Sequence, residues 1–132
     1  MPIVAGLVGE VEIVVQASDT AAALGNEGVD VLATPRLVSL LELAAIRAVE
    51  SHLPAGAGTV GTRIDVRHLA ATPVGMRATI RATLREVDGR RLVFDIEGHD
   101  EAERIVDGTH ERFQIDQGRF LARVAAKGQG RT

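Results

Sequence analysis

The segment from Pro35 to about His52 constrains the fold more than any other, because it reads as a helix that is apolar on most of its circumference. Thr34-Pro35 supplies a start signal, a hydroxyl residue at the N-cap and a proline at the first helical position. Leu53-Pro54-Ala55-Gly56 supplies the stop. At about 100° per residue, Arg36, Ser39, Arg47 and Glu50 gather on one narrow side. Leu37, Val38, Leu40, Leu41, Ala44, Ala45, Ala48 and Val49 occupy most of the rest. A helix of that kind needs cover on several sides. Glu42 falls away from the polar side, so its carboxylate is expected among apolar neighbours.

The remaining elements read as strands. Val11, Ile13, Val15 and Ala17 alternate with a mostly polar row, and residues 18–30 form a Gly- and Asp-rich loop with a helical turn near Thr20 to Leu24. After the helix, Val60, Thr62, Ile64, Val66 and His68 share one expected face of a strand, ending in an imidazole just before Thr72-Pro73-Val74-Gly75. Met76 to Arg85 alternates apolar with Arg and Thr, Asp88-Gly89 signals a hairpin, and two further strands run to Asp116. A short helix is expected to begin at Gln117, with residues 128–132 a frayed tail. The order is strand, loop, long helix, then four strands expected to meander antiparallel. One helix needing cover on several sides calls for a sheet that curls around it. The expectation is a single α+β domain over residues 1–132, of the hotdog type.

Composition narrows the function classes. With 45% hydrophobic residues but three Phe and neither Trp nor Tyr, the core must come from Val, Leu, Ile and Ala. These bury less area per side chain, so a second protomer covering one face would complete it. The net charge is −3 and the arginines alternate along strands without aromatic companions, which argues against nucleic-acid binding. Absence of cysteine excludes thiolate nucleophiles, disulfides and thiolate metal sites. The apolar start is interrupted by Glu10 and Glu12, so neither a leader nor a membrane span is expected, and the chain is assigned to the cytoplasm. His52, His99 and His110 show no ligand spacing with carboxylates, so no metal is expected.

Several segments together carry a family resemblance: Val31-Leu32-Ala33-Thr34-Pro35, Leu41-Glu42-Leu43-Ala44, Gly58-Thr59-Val60-Gly61-Thr62, His68 to Gly75, and Gly108-Thr109-His110-Glu111-Arg112. In order and spacing the chain resembles the fluoroacetyl-CoA thioesterase-like branch of the hotdog thioesterases. The resemblance implies a catalytic set of Thr34, Glu42 and His68, with Gly61 near the thioester and Arg112 in the pocket. It implies an acyl-CoA substrate, no cofactor, and a homodimer with active sites at the subunit interface, pairing into tetramers being left open. The family's fluoroacetyl specialist carries bulky aromatics just ahead of the helix start. Gly25-Asn26-Glu27-Gly28-Val29 has none here, so a different small or medium acyl group is expected.

The chemistry fits those residue types. Thioester hydrolysis needs a nucleophile or activated water, a proton carrier, and donors for the developing oxyanion. Glu42 can attack or activate water, and His68 can carry a proton near neutral pH. Thr34 can relay one, and Gly61 lets the thioester approach backbone N–H groups. The same residues have quieter readings: Thr34 as a cap, Glu42 as an ion-pair anchor, Gly61 as a bulge, Arg112 as a solvated strand residue, His68 as a buried hydrogen bonder. Two other functions use similar folds, an enoyl-thioester hydratase or dehydratase and a non-catalytic acyl-CoA sensor.

Overall fold

The computed structural model describes residues 2–130. Five strands form one antiparallel sheet: β1 (Val8–Val14), β2 (Ala57–His68), β3 (Arg77–Asp88), β4 (Arg91–Asp100) and β5 (Arg104–Asp116). Helix α1 spans Thr34–Val49 and continues as a tight turn through Glu50–His52, and α2 spans Gln117–Gln129. The sheet curls around α1, the α+β hotdog architecture expected from the sequence.

Strand order is β1-β3-β4-β5-β2, so the meander covers only β3, β4 and β5. The expected four-strand meander is corrected here: β2 skips β3 and pairs with β5. The reason is that Leu69 crosses to bond the Ile105 carbonyl while Leu32 bonds the Thr72 carbonyl. The connection from β2 to β3 therefore passes across the end of the sheet beside the start of α1.

Leu37, Leu40, Leu41, Ala44, Ala45, Ala48 and Val49 of α1 are buried, chiefly against β1 and β3. Each fully buried Leu contributes roughly 1.5–3 kcal/mol. On β3 the alternation holds as written, with Ala78, Ile80, Ala82 and Leu84 inside. Outside, Arg77 faces Glu12, Arg81 faces Glu10 and Arg85 faces Asp95. The hairpin at Asp88-Gly89 turns through a left-handed glycine, φ +60°.

The other side of α1 is less covered than its sequence demands. Val38 and Ile46 are only half-buried, and Ile64 on β2 is exposed. β2 lies at the edge of the sheet, so its outer backbone groups have no strand partner among the described residues. The C-terminal segment also departs from expectation. α2 runs through Gln129, so the tail predicted to fray from residue 128 is helical for two of its residues, and residues 131–132 lie outside those described.

Candidate active site

Two clusters of polar side chains flank the N-terminal half of α1. The first begins with Thr34. Ala33, not Thr34, is the N-cap, and its backbone turns into the helix without any side-chain cap. That corrects the expected N-cap by one residue and frees the threonine hydroxyl, because Thr34 is already inside the helix. Its Oγ1 lies 2.7 Å from Nδ1 of His68, the last residue of β2. The other ring nitrogen, Nε2, is buried with no hydrogen-bond partner. Burial lowers the His68 pKa from its ordinary 6.5, opposed by the Ala70 backbone. The buried ring therefore holds a second proton less readily than a free imidazole.

A cavity of about 370 Å³ opens beside this pair. Asn26, Val29, Val31, Leu69 and Ala70 line it along with Thr34 and His68. Its outer wall is the loop before α1, held to the helix start by the Arg36–Asp19 ion pair at 2.8 Å. Burial alone would raise the Asp19 carboxyl, yet the Gln16 N–H and the Arg36 guanidinium outweigh it and lower its pKa.

The second cluster gathers around Arg112 of β5, which is 4% exposed. Its Nη1 donates to Glu42 at 3.1 Å, its Nε to the Thr59 hydroxyl at 2.9 Å, and its Nη2 to the Thr59 carbonyl at 3.0 Å. Burial lowers the Arg112 pKa and Glu42 acts against that shift. The expectation of apolar surroundings for Glu42 is thus corrected: its carboxylate is half-exposed and ion-paired, because Arg112 reaches it from two strands away. Gly61 sits opposite Arg112 in the β2–β5 register. A β-carbon there would stand 2.4 Å from Glu42 Oε2. Glycine at 61 therefore lets the carboxylate reach the sheet.

The placement of Gly61 depends on a bulge. The β2–β5 register shifts between Gly61 and Arg63, leaving Thr62 as the extra residue. Before it, odd-numbered residues face the helix, and after it, even-numbered ones do. Ile64, Val66 and His68 hold the inward positions the alternation assigned, while Val60 pairs with exposed Phe113 and is corrected to the outer face.

His110 is a member of the site that the sequence reading passed over. It is fully buried, stacked on Phe94, and its Nδ1 lies 2.8 Å from the Arg63 carbonyl. A carbonyl can only accept, so Nδ1 carries the proton. Nε2 is then a free acceptor, and Arg112 Nη1 lies 3.2 Å from it. Burial lowers the His110 pKa, which favours the neutral ring and so the free acceptor at Nε2. The GTHER spacing put His110 and Arg112 on one strand face, and that was the available signal. His110→Phe keeps the volume but removes the acceptor, and is expected to lower kcat about tenfold with KM little changed. His110→Gln, which can still offer an acceptor, should retain more activity. Equal losses in the two would show that His110 only fills space.

Both imidazoles bind protons less readily in the folded chain than in the unfolded one, whose value is near 6.5. The unfolded state therefore takes up more protons as pH falls, so stability is whole above about 6.5 and declines below it. The acid limb of kcat/KM should likewise lie below 6.5. A pH–rate profile with that limb at or above 6.5 would contradict the assignment of His68 as a desolvated base.

Within one chain, Thr34 with His68 and Glu42 with Gly61 and Arg112 are separate groups. Eight residue steps of helix separate Thr34 from Glu42, about 12 Å along the axis. The five expected residues thus fall into two separate clusters.

The family described as FlK, fluoroacetyl-CoA-specific thioesterase, matches residues 15–118 of this chain. The fluoroacetyl-CoA thioesterase of Streptantibioticus cattleyicolor is 45% identical over 98 residues, covering 74% of this chain and 70% of that protein. A crystal structure of the fluoroacetyl-CoA thioesterase FlK superposes with a TM-score of 0.88 at 38% identity, covering 96% of this chain and 98% of that one. A FlK variant solved with acetyl-CoA gives a TM-score of 0.90 at 37% identity, covering 95% and 98%. A thioesterase-superfamily member from Thermus thermophilus gives 0.88 at 26% identity, covering 98% of each chain. Curled sheet, central helix and matching sequence together place the chain in the FlK family of hotdog thioesterases, as a thioester hydrolase.

Proposed function

We propose that the protein hydrolyses a small or medium acyl-CoA to the free acid and CoA, at a site completed by a second copy of itself. The observation that carries this reading is the division of the polar residues into two half-sites on one incompletely covered face. In support, Val38, Ile46 and Ile64 stay half-buried or exposed on that face, and β2 is an edge without a strand partner among the described residues. Antiparallel pairing of two β2 edges about a twofold axis near Ile64-Asp65 sets Gly61 of one protomer opposite His68 of the partner subunit. Glu42 and Arg112 then meet the Thr34–His68 pair across the interface.

In the assembled site, Glu42 either attacks the thioester carbonyl, expelling the thiolate and forming an anhydride that water then hydrolyses, or removes a proton from a water that attacks the carbonyl itself. Arg112 and Gly61 hold the carboxylate in place, and the Gly61 approach leaves backbone N–H groups near the developing oxyanion. His68 takes up at Nε2 the proton that the attacking water gives up, directly or by way of Glu42, and passes it to the departing thiolate, with Thr34 setting the ring through Nδ1. The acyl group occupies the cavity walled by Val29, Val31 and Leu69. The loop from Gly25 to Val29, which lends Asn26 and Val29 to the lining, carries no aromatic side chain, and this favours an acyl group other than fluoroacetyl.

Thiol release from a panel of acyl-CoAs tests the reaction, and subunit mixing tests the architecture. Glu42→Gln and His68→Ala are each expected to be inactive alone. Mixed after co-unfolding, they should regain about a quarter of wild-type turnover, since half the dimers then carry one intact site. No recovery in mixed dimers would place each site within one protomer. Acyl-CoA binding without thiol release would instead favour a sensor.

A further inference from the structure

Most arginines on the sheet surface face a carboxylate: those of β3 do, Arg91 pairs with Glu111, and Arg104 with Glu97. Arg90, Arg119 and Arg123 have no ion pair among the described residues, yet they line one cavity of about 150 Å³. Arg90 comes from the β3–β4 hairpin, and Arg119 and Arg123 from α2 at the i, i+4 spacing that puts them on one helix face. Ile115, Asp116 and Phe120 complete the lining. Like charges at that spacing destabilise a helix, so a surface that pairs most of its arginines keeps these three together against their repulsion. The one carboxylate present, Asp116, is engaged as the cap of α2, accepting from the Arg119 backbone N–H at 3.0 Å.

The cavity adjoins a second groove of about 220 Å³, with which it shares Arg90, Ile115 and Asp116, and which extends to residues 54–57 at the start of β2. From Ala57 to Gly61 is four residues of strand, about 13 Å, a span an extended pantetheine arm covers. The first residue of α2 is fixed to this strand, since the Gln117 N–H donates to the Gly56 carbonyl at 2.9 Å. We propose that Arg90, Arg119 and Arg123 bind the phosphates of the coenzyme A nucleotide, with Phe120 offering a stacking face to its adenine. Guanidinium forks suit phosphate oxygens, and an exposed aromatic ring accepts a base face without reading its identity. The assignment rests on the thioesterase reading and names the subsite of its substrate's far end.

Acyl-CoA and the matching acyl-pantetheine, which lacks the nucleotide and its phosphates, separate this subsite from the catalytic one. In R119A/R123A, KM for acyl-CoA should rise about tenfold or more, with KM for acyl-pantetheine within twofold of wild type. The acyl-CoA KM of the wild type should also climb with ionic strength. Adenosine 3′,5′-bisphosphate, titrated calorimetrically into the apo dimer, should bind the wild type and fail to bind R119A/R123A, with Arg90→Gln as an independent weakened variant. An equal KM rise for both thioesters, or unaltered bisphosphate binding in the double variant, would overturn the proposal. If the wild type releases thiol from neither thioester, the hydrolysis reading fails, and the bisphosphate titration alone decides whether the subsite exists.

Discussion

Replacing Glu42 by Gln is expected to reduce turnover by about 10²- to 10⁴-fold while leaving KM within a few-fold of wild type. The amide keeps the size of the side chain, and its oxygen can still accept from Arg112, so the geometry persists. What it loses is the charge that attacks the carbonyl or takes the proton from water. Arg112 keeps its bonds to the Thr59 hydroxyl and carbonyl, and Glu42 is itself half-exposed, so the thermal midpoint should fall only modestly. His68→Ala should reduce turnover by a comparable factor with acyl-CoA still bound. A Glu42→Gln variant that turns over within tenfold of wild type would remove the carboxylate from the chemistry. A single turnover in oxygen-18 water then separates the two roles of Glu42. Label recovered in the enzyme carboxylate means direct attack through an anhydride and excludes simple water activation.

The largest loss of stability is expected at Gly9, where β1 packs on α1. A β-carbon added there would stand 2.0 Å from the Ala44 carbonyl oxygen and 2.5 Å from the Ala48 nitrogen. Both are backbone atoms of α1, so no rotamer change relieves the contact, and the helix must lift off β1. That lift separates Leu41, Ala44, Ala45 and Ala48 from the sheet. Gly9→Ala should cost about 3 kcal/mol and lower the midpoint of thermal unfolding by about 10 °C. Gly128→Ala is the matched control, on a helix and with nothing within 4 Å of the added carbon. It should be neutral or gain up to about 1 kcal/mol from helix propensity. Similar melting curves for the two variants would contradict the packing of α1 on β1. Gly61 differs from Gly9 in kind: its β-carbon would meet the tip of a flexible side chain, so the expected loss is of activity rather than fold.

Much of this architecture could be read locally. Pro35 near the helix start, the apolar circumference of α1, the strict alternation of β3 and the Asp88-Gly89 turn each act over a few residues, and each survives in the structure. Family resemblance singled out Thr34, Glu42, Gly61, His68 and Arg112, but composition and periodicity could not say which of them meet. Those meetings depend on pairings between residues far apart in the chain.

The β2–β5 register puts Gly61 opposite Arg112, and the Thr62 bulge then turns His68 to the inner face with Ile64 and Val66. A bulge breaks a period-two pattern by one residue, so the alternation put Val60 on the wrong face while still placing His68 correctly. Thr34 reads locally as a cap. Only the return of β2 past the helix start brings His68 close enough to take its hydroxyl instead. Glu42 reads as an acid among apolar neighbours because Arg112, its partner, lies 70 residues away. The sequence by itself determined the helix, the strands and the apolar core, whose causes are short-range sterics and hydrophobic periodicity. The tertiary structure alone decided strand order, the tautomer of His110 and the grouping of the polar residues, because hydrogen bonds between distant segments set them.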